Sequence, residues 1–480
     1  MNSRFDAVVV GSGPNGLAAA IALQQKGLAV KVIEAKPTPG GGMRSMPLTL
    51  PGFVHDVCSA VHPMGIYSPF FNSLPLQEHG LEWVNPELAL AHPFLNGEAA
   101  VMSQSFSRTA ASLGVDGDTY IRFMKPLAET WENIGPDLLG PLNPFPKHPI
   151  DLAKFGLNAL QSATGLANRL FKEQYAKGLL AGLAAHSVRP LEHGITSAIG
   201  LVLAVVGHKY GWPFPKGGTQ KLADALVSYF RSIGGEVETD HPVTAMQELE
   251  FAKIKLFDIT PRQLLQIQGL KFPTLYKKQL ENYRYGPGIF KIDYALSEPI
   301  PFKAADCNKA GTVHIGGTIE EIAISEREAW EGKHSEKPYI LLSQHSLFDA
   351  TRAPEGKHTG WAYCHVPKGS TLDMTAAIEN QIESFAPGFK DVILERHTMH
   401  TAEVNAYNAN YIAGDITGGV TDLRQLFTRP AIRISPYSTP LSDVYICSSS
   451  TPPGAGVHGM CGFYAARRVL KDHYGISLKL

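Results

Sequence analysis

Short apolar runs and longer amphipathic ones alternate along the chain, and their periods predict the elements. Asp6–Val10 ends in an unbroken apolar run, as a strand buried on both faces does. LAAAIALQQKG, 17–27, has helical spacing and closes on Gly27, a common helix stop. LAVKVIE follows as a second strand ending on Glu34. Residues 119–235 read mainly as helices, with the proline-rich PLNPFPKHP, 141–149, as a connector. The longest apolar run, SAIGLVLAVVG at 197–207, predicts a buried helix; a channel wall or a dip into a membrane interface are its other uses. A helix is expected over Gln220–Ile233 with Thr219 as N-cap. GGEVETDHPV returns to a strand, and 253–265 reads as the strand and turn that close its sheet. GIFKIDYA (288–295), ILLSQHS and GWAYCHVP alternate as strands of an antiparallel sheet, whereas 302–336 reads as a charged loop. Val444–Ile446 is a last strand before a glycine loop and a final helix, with Val457, Cys461, Tyr464, Ala465 and Val469 facing inward.

At 480 residues the chain exceeds one ordinary core, so more than one domain is expected. A net charge of −1 gives no electrostatic case for nucleic acid or for an anionic membrane. The five cysteines, Cys58, Cys307, Cys364, Cys447 and Cys461, are widely spaced with no C-x-x-C. That argues against a disulfide framework, a zinc site or a dithiol centre and favours a reducing compartment. MNSRFDAVVV enters a strand almost at once, so no signal or transit segment is expected; a cytoplasmic place, or one peripheral to a membrane, follows.

Between the first strand and helix stands G-S-G-P-N-G, a G-x-G-x-x-G turn at Gly11, Gly13 and Gly16. Gly11 permits the tight turn, Gly13 lets a diphosphate approach the backbone, and Gly16 lets the helix pack on the sheet. Helix amides and dipole then favour the anion. Glu34, at the end of the second strand, suits ribose hydroxyls and would repel a 2′-phosphate, so NADP is disfavoured.

The next stretch, EAKPTPGGGMRS, sets a second glycine cluster, Gly40–Gly42, just after that acid. It resembles the FAD signature of glutathione-reductase-like flavoproteins, and more specifically the branch of amine oxidases and phytoene desaturases, usually G-G-R-x-x-S/T. Here Met43 stands in the arginine slot and Arg44 follows it, either as a cofactor contact or as a solvated surface residue. SSSTPPGAGVHG, 448–459, resembles the C-terminal loop of phytoene dehydrogenase-related oxidoreductases, G-A-x-T-H-P-G-x-G-x-x-G, with Ser448 for the first glycine and Pro452 for the histidine. GWPFPKGGTQ at 211–220 is a further landmark.

The resemblance implies an α/β fold: an FAD-binding Rossmann-like domain of the glutathione-reductase type from 1–65, 215–270 and 440–480, and an α+β substrate domain with an antiparallel sheet from 66–214 and 271–439. It implies noncovalent FAD held by Gly11, Ser12, Gly13, Pro14, Asn15, Gly16, Glu34, Ala35, Gly41, Gly42, Met43, Arg44, Val243, Ser449, Gly454, Gly456, Val457 and His458. It also implies that the final helix points at the flavin's pyrimidine end. The activity implied is hydride transfer from a small lipophilic substrate to flavin N5, a desaturation, with a quinone or oxygen as acceptor. A redox-neutral polyene isomerase, an amine oxidase-like enzyme and a non-catalytic FAD-binding scaffold are the alternatives. Tyr407 and Tyr411 are the tyrosines NAYNANY offers toward an aromatic cage. His62, His458 and Tyr210 are the catalytic candidates. His55, Asp56, Cys58, His208, Trp212, Tyr285 and Pro287 are further residues near the expected flavin, and His62 and the cysteines are the residues able to form a covalent flavin link.

Overall fold

The computed structural model of the chain describes residues 4–141 and 143–480; of the predicted connector and N-terminal stretch, Leu142 and residues 1–3 lie outside it. The apolar run Phe5–Val10 is the middle strand of a five-stranded sheet ordered Val444–Ile446, Ala252–Phe257, Phe5–Val10, Val30–Ile33, Glu236–Glu238. Every pairing is parallel. The expected closing strand is therefore interior, and Val444–Ile446 takes the edge. The opening helix Pro14–Gln24 and the C-terminal helix Met460–Tyr474 cross this sheet side by side. They meet at Gly462, where a Cβ would overlap the Asn15 carbonyl.

A second sheet has seven strands in the order Ile393–Met399, Gly288–Leu296, His358–Val366, Ile340–Ser343, Ala310–Ile315, Leu88–Pro93, Ala99–Met102. It is mixed rather than antiparallel throughout, because Ala310–Ile315 pairs parallel with Leu88–Pro93. Side chains alternate between its faces. Phe290, Ile292, Ile340, Leu342, Ala362 and Cys364 form one core with the helix Thr375–Phe385. Ile289, Lys291, Trp361 and Tyr363 point the other way, toward the cavity described below.

Residues 302–336 are not a charged loop: they hold the strand Ala310–Ile315 and the helix Ile319–Glu331. Thr318 and Glu321 form a capping box at the start of that helix, and Gly332 ends it in the left-handed region. Most of the charges that suggested a loop sit on the outer face of this helix, whereas Glu326 is buried against His365 Nδ1 at 2.8 Å. The apolar run became the helix Thr196–Tyr210. Thr219 precedes the helix Gln220–Ser232 but does not cap it. Its hydroxyl donates to the Ser59 carbonyl at 3.0 Å, while Ser45 Oγ accepts from Gln220 N at 3.1 Å. Among the described residues, no helix is long and apolar enough to cross a membrane.

Candidate functional site

A cavity of about 930 Å³ runs between the two sheets, near the upper end of the roughly 300–1,000 Å³ usual for small-molecule sites. One end is the glycine turn. Gly11 sits at φ +101° and takes the chain from the strand into the helix. A Cβ on Gly13 would lie 2.7 Å from Asp258 Oδ2, so a side chain there would have to displace that buried carboxyl group. Gly11, Ser12, Gly13, Pro14 and Asn15 face the cavity, as do Ala35, Gly41 and Gly42.

Glu34 is buried and engaged on both oxygens. Its Oε2 accepts from Ser12 N and Ser12 Oγ at 3.0 and 2.5 Å, and its Oε1 accepts from Lys36 N and Arg44 Nη2, both at 3.0 Å. Arg44 is not a solvated surface arginine but 4% exposed. It also donates to the carbonyls of Thr38 and Gly41 at 2.7 and 3.1 Å, which ties the second glycine cluster to Glu34. The displaced arginine is thus a buried brace lining the cavity, and Met43 in the usual slot is core.

Val243 lines the adjoining wall with Pro242 and Thr244. Ser449, Gly456, Val457 and His458 line the wall under the C-terminal helix, so the N-termini of both long helices reach this cavity. Of the two departures in the C-terminal loop, neither Ser448 nor Pro452 lines the cavity; their neighbours Ser449 and Pro453 do. His458 Nδ1 accepts from Met460 N at 3.0 Å, which leaves the proton on Nε2, a buried atom with no partner. Burial lowers the His458 pKa to about 4, so the ring is neutral.

The other end is built by the helix Thr196–Tyr210 through Ile199, Val202 and Leu203, by Trp212, and by Ile289, Lys291, Thr312, Leu341, Trp361 and Tyr363 of the second sheet. Lys291 is 1% exposed and contacts Asp293 behind it. Burial, opposed by that ammonium, pushes the Asp293 pKa up to about 6.

Several predicted residues lie outside the cavity. The Tyr210 hydroxyl donates to Glu132 Oε1 at 2.6 Å on the surface. His62 is buried, its Nε2 3.1 Å from Thr219 Oγ1, and it braces the helix Gln220–Ser232. Gly16 is a packing glycine whose amide donates to Asp258 Oδ2 at 2.9 Å, and a Cβ on Gly454 would fall 2.9 Å from Arg429 Nη1. His208 bonds Tyr120 Oη at 2.7 Å, and Tyr285 Oη accepts from Arg262 N at 3.3 Å. Pro287 also lies off the lining, while Trp212 is on it. His55 is buried near Asp293, its Nδ1 3.8 Å from Oδ1, and Asp56 pairs with Arg352 at 2.8 Å. Cys58 does line the cavity, but burial pushes its thiol up to about 12, which leaves no thiolate for a covalent flavin link at neutral pH. Tyr407 and Tyr411, by contrast, line the cavity over the second glycine cluster, Tyr407 Oη donating to the Gly41 carbonyl at 3.3 Å.

Sequence reading missed Asp258, His186, Lys291, Trp361 and Tyr363, all on the lining. Lys291 had a signal: GIFKIDYA places a lysine and an aspartate on one face of a strand buried along its whole length. Asp258 had none, because only the tertiary fold brings it to the helix start.

Residues 9–74 match the model of the NAD(P)-binding Rossmann-like domain. The pyridine nucleotide-disulfide oxidoreductase domain-containing protein 2 of Rattus norvegicus is 24% identical over 571 residues, covering 98% of this chain and 94% of the rat protein. Among solved structures, an oxidoreductase from Methanosarcina mazei superposes with a TM-score of 0.63 at 14% identity, covering 97% of this chain and 99% of that one. Putrescine oxidase bound to putrescine does so with a TM-score of 0.63 at 18% identity, covering 98% and 99%. The parallel sheet, its glycine turn and the mixed second sheet thus make this chain an α/β protein with a Rossmann-like dinucleotide-binding domain, in a fold shared with putrescine oxidase and the Methanosarcina mazei oxidoreductase.

Proposed function

We propose that the protein is an FAD-dependent oxidoreductase that holds FAD noncovalently, oxidises an uncharged lipophilic substrate and passes the electrons to a quinone or to oxygen. The supporting observation is continuity: one cavity joins the glycine turn, Glu34 and His458 to an apolar helix and a sheet face bearing Lys291. The fit to FAD rests on the turn where a Cβ at Gly13 would displace the Asp258 carboxyl and on the orphaned His458 Nε2. In this reading Gly11–Asn15 receive the diphosphate, Glu34 the ribose, and Val243 the adenine through its backbone. Segments 1–65, 215–270 and 440–480 then act as the cofactor unit, and 66–214 with 271–439 as the substrate unit.

Bound FAD would supply the hydride acceptor. The chain's own work is to seat a C–H bond, exclude water and take the accompanying proton. Lys291 reaches the cavity and Asp293 lies behind it; Lys291 gives a proton to Asp293 and takes one from the substrate. A carboxylate near pKa 6 is matched to that task at neutral pH. Amine oxidation is less well supported, since the acids on the lining, Glu34 and Asp258, both belong to the glycine-turn end. A lipophilic substrate would also favour peripheral contact with a membrane.

Anaerobic titration of the FAD-loaded protein tests this reading. Bleaching by dithionite but not by NADH or NADPH supports a substrate-reduced enzyme. Fast bleaching by NADH would point to a reductase, or to an isomerase primed by reduction. A flavin that no candidate lipophile perturbs would point to a scaffold.

A further inference from the structure

The helix Pro149–Ala159 is apolar on both of its faces. Its inner face is ordinary, with Phe155 and Ala159 buried. Its outer face is not. Ile150, Leu157 and Leu160 are 69%, 73% and 57% exposed, and Phe145, just before the helix, is 86% exposed. Positions 150, 153, 157 and 160 fall on one stripe at helical spacing, so Ile150, Ala153, Leu157 and Leu160 form an outward apolar row. A helix apolar all round is normally covered all round, and no part of the described chain covers this row.

The helix sits on two others that carry the cavity. Asn133 Nδ2 donates to Asp151 Oδ2 at 2.9 Å, which joins it to the helix Trp131–Leu138. Ile195 N donates to the Leu160 carbonyl at 3.1 Å and Ser197 Oγ to the Gln161 carbonyl at 2.6 Å, which joins it to the helix Thr196–Tyr210. These two helices line the cavity, one through Trp131 and Leu138, the other through Ile199, Val202 and Leu203.

The outermost charges around the row are of one sign. Lys147, Lys154 and Arg169 are exposed. Arg169 donates to Asn158 Oδ1 at 2.8 Å, and none of these cations has an acidic partner among the described residues. The acids of 133–160, Asp137 and Asp151, are half-buried and accept from Asn143 Nδ2 at 3.0 Å and Asn133 Nδ2 at 2.9 Å. The net charge of −1 averages over this local asymmetry.

That asymmetry selects the occupant. In a twofold contact between two copies the row would meet itself and set lysine against lysine. An anionic bilayer instead takes the apolar row into its headgroup boundary and the cations to its phosphates. Ile150 and Leu157 stand roughly 10 Å apart along the axis, so both enter when the helix lies in the membrane plane. Resting on the reading of a lipophilic substrate, and naming the partner it calls for, we propose that the helix Pro149–Ala159 is a docking face for an anionic phospholipid bilayer. Phe145, Ile150, Leu157 and Leu160 insert, and Lys147 and Lys154 meet the headgroups.

The test sediments the full-length protein with vesicles of phosphatidylcholine alone and of equal parts phosphatidylcholine and phosphatidylglycerol. The mixed vesicles should bind more tightly, with a preference that high salt weakens, and should slow amide exchange over 145–160. Ile150→Ser with Leu157→Ser should weaken binding about tenfold or more and leave FAD content unchanged. Lys147→Gln with Lys154→Gln should cost about fivefold per lysine on mixed vesicles and nothing on phosphatidylcholine. Wild-type protein that stays in the supernatant, or a serine variant that binds as wild type does, would overturn the proposal. So would a solution dimer that the serine variant splits, which would give this face to a second copy. If the serine variant does not fold, exchange of the wild-type chain decides: no slowing over 145–160 overturns the proposal. FAD content reports separately on the oxidoreductase reading, so vesicle binding without FAD uptake would support the docking face and remove that reading.

Discussion

Asp258 shows how a single side chain shapes the glycine-turn end of the cavity. It sits at the start of the opening helix, its Oδ2 accepting from the Gly16 amide at 2.9 Å, where the helix dipole favours an anion. Burial nevertheless raises its pKa well above the usual 3.8, and the nearby Glu34 adds to this. A raised folded pKa means the folded state binds the proton more tightly than the unfolded state. Stability is then full below pH 3.8 and falls as pH rises toward the folded value. Once ionised, Asp258 would also repel a diphosphate on the neighbouring amides of Gly11–Asn15. Asp258→Asn should remove that fall in melting temperature and flatten a decline of FAD affinity with rising pH; a variant with the wild-type pH profile in both would contradict this. Glu34→Gln keeps the shape but loses the charge that holds Ser12, Arg44 and the ribose. Loss of about 1.5–3 kcal/mol for such bonds predicts FAD affinity lower by roughly 10- to 100-fold in equilibrium titration. Lys291→Met should keep FAD yet slow substrate-driven bleaching roughly 100-fold, the lower range for a lost proton acceptor, whereas Tyr210→Phe should leave stopped-flow rates unchanged because that hydroxyl bonds surface Glu132.

At the scale of elements, one buried network joins pieces far apart in sequence. Arg352 donates to Asp56 Oδ2 at 2.8 Å and to Asp349 Oδ2 at 3.2 Å. Asp56 Oδ1 accepts from Ser45 Oγ and Thr219 N at 2.6 and 2.8 Å, and Asp349 Oδ2 from Gly217 N at 2.7 Å. Burial alone would raise the Asp56 pKa, but the Arg352 guanidinium, His345 and the hydrogen bonds from Arg352 and Ser45 together outweigh it and hold the carboxyl below its usual range. Arg352→Met strands two carboxylates, one wholly buried, and should cost about 3–5 kcal/mol in denaturant unfolding; a loss under about 1 kcal/mol would show that the network is not needed to hold the elements together. This network also explains what sequence could and could not reveal. The strands of the parallel sheet and the long helices were legible, because period and glycine stops act locally. Thr219 looked like a cap by residue type, yet its hydroxyl is drawn to Ser59 and His62 by packing. The helix Ile319–Glu331 was hidden by its charged face, although Thr318 and Glu321 spelled its capping box.

At the scale of the molecule, the glycine-turn end of the cavity was readable because a glycine turn, a strand-end acid and a terminal glycine loop each have a local signature. The substrate end was not, because its lining comes from strands and helices brought together only by the fold: Lys291 from one strand, Tyr363 from the next, His186 from a helix end. The helix Thr196–Tyr210 satisfies two readings at once, buried by most of its surface and lining the cavity through Ile199, Val202 and Leu203. The central claim is that this cavity holds a flavin. The most direct measurement is the absorbance spectrum of the purified protein together with the FAD released per chain on denaturation. The account predicts bands near roughly 370 and 450 nm, as flavin cofactors give, and one FAD per chain, retained or taken up on reconstitution. A colourless protein that takes up no FAD would contradict it.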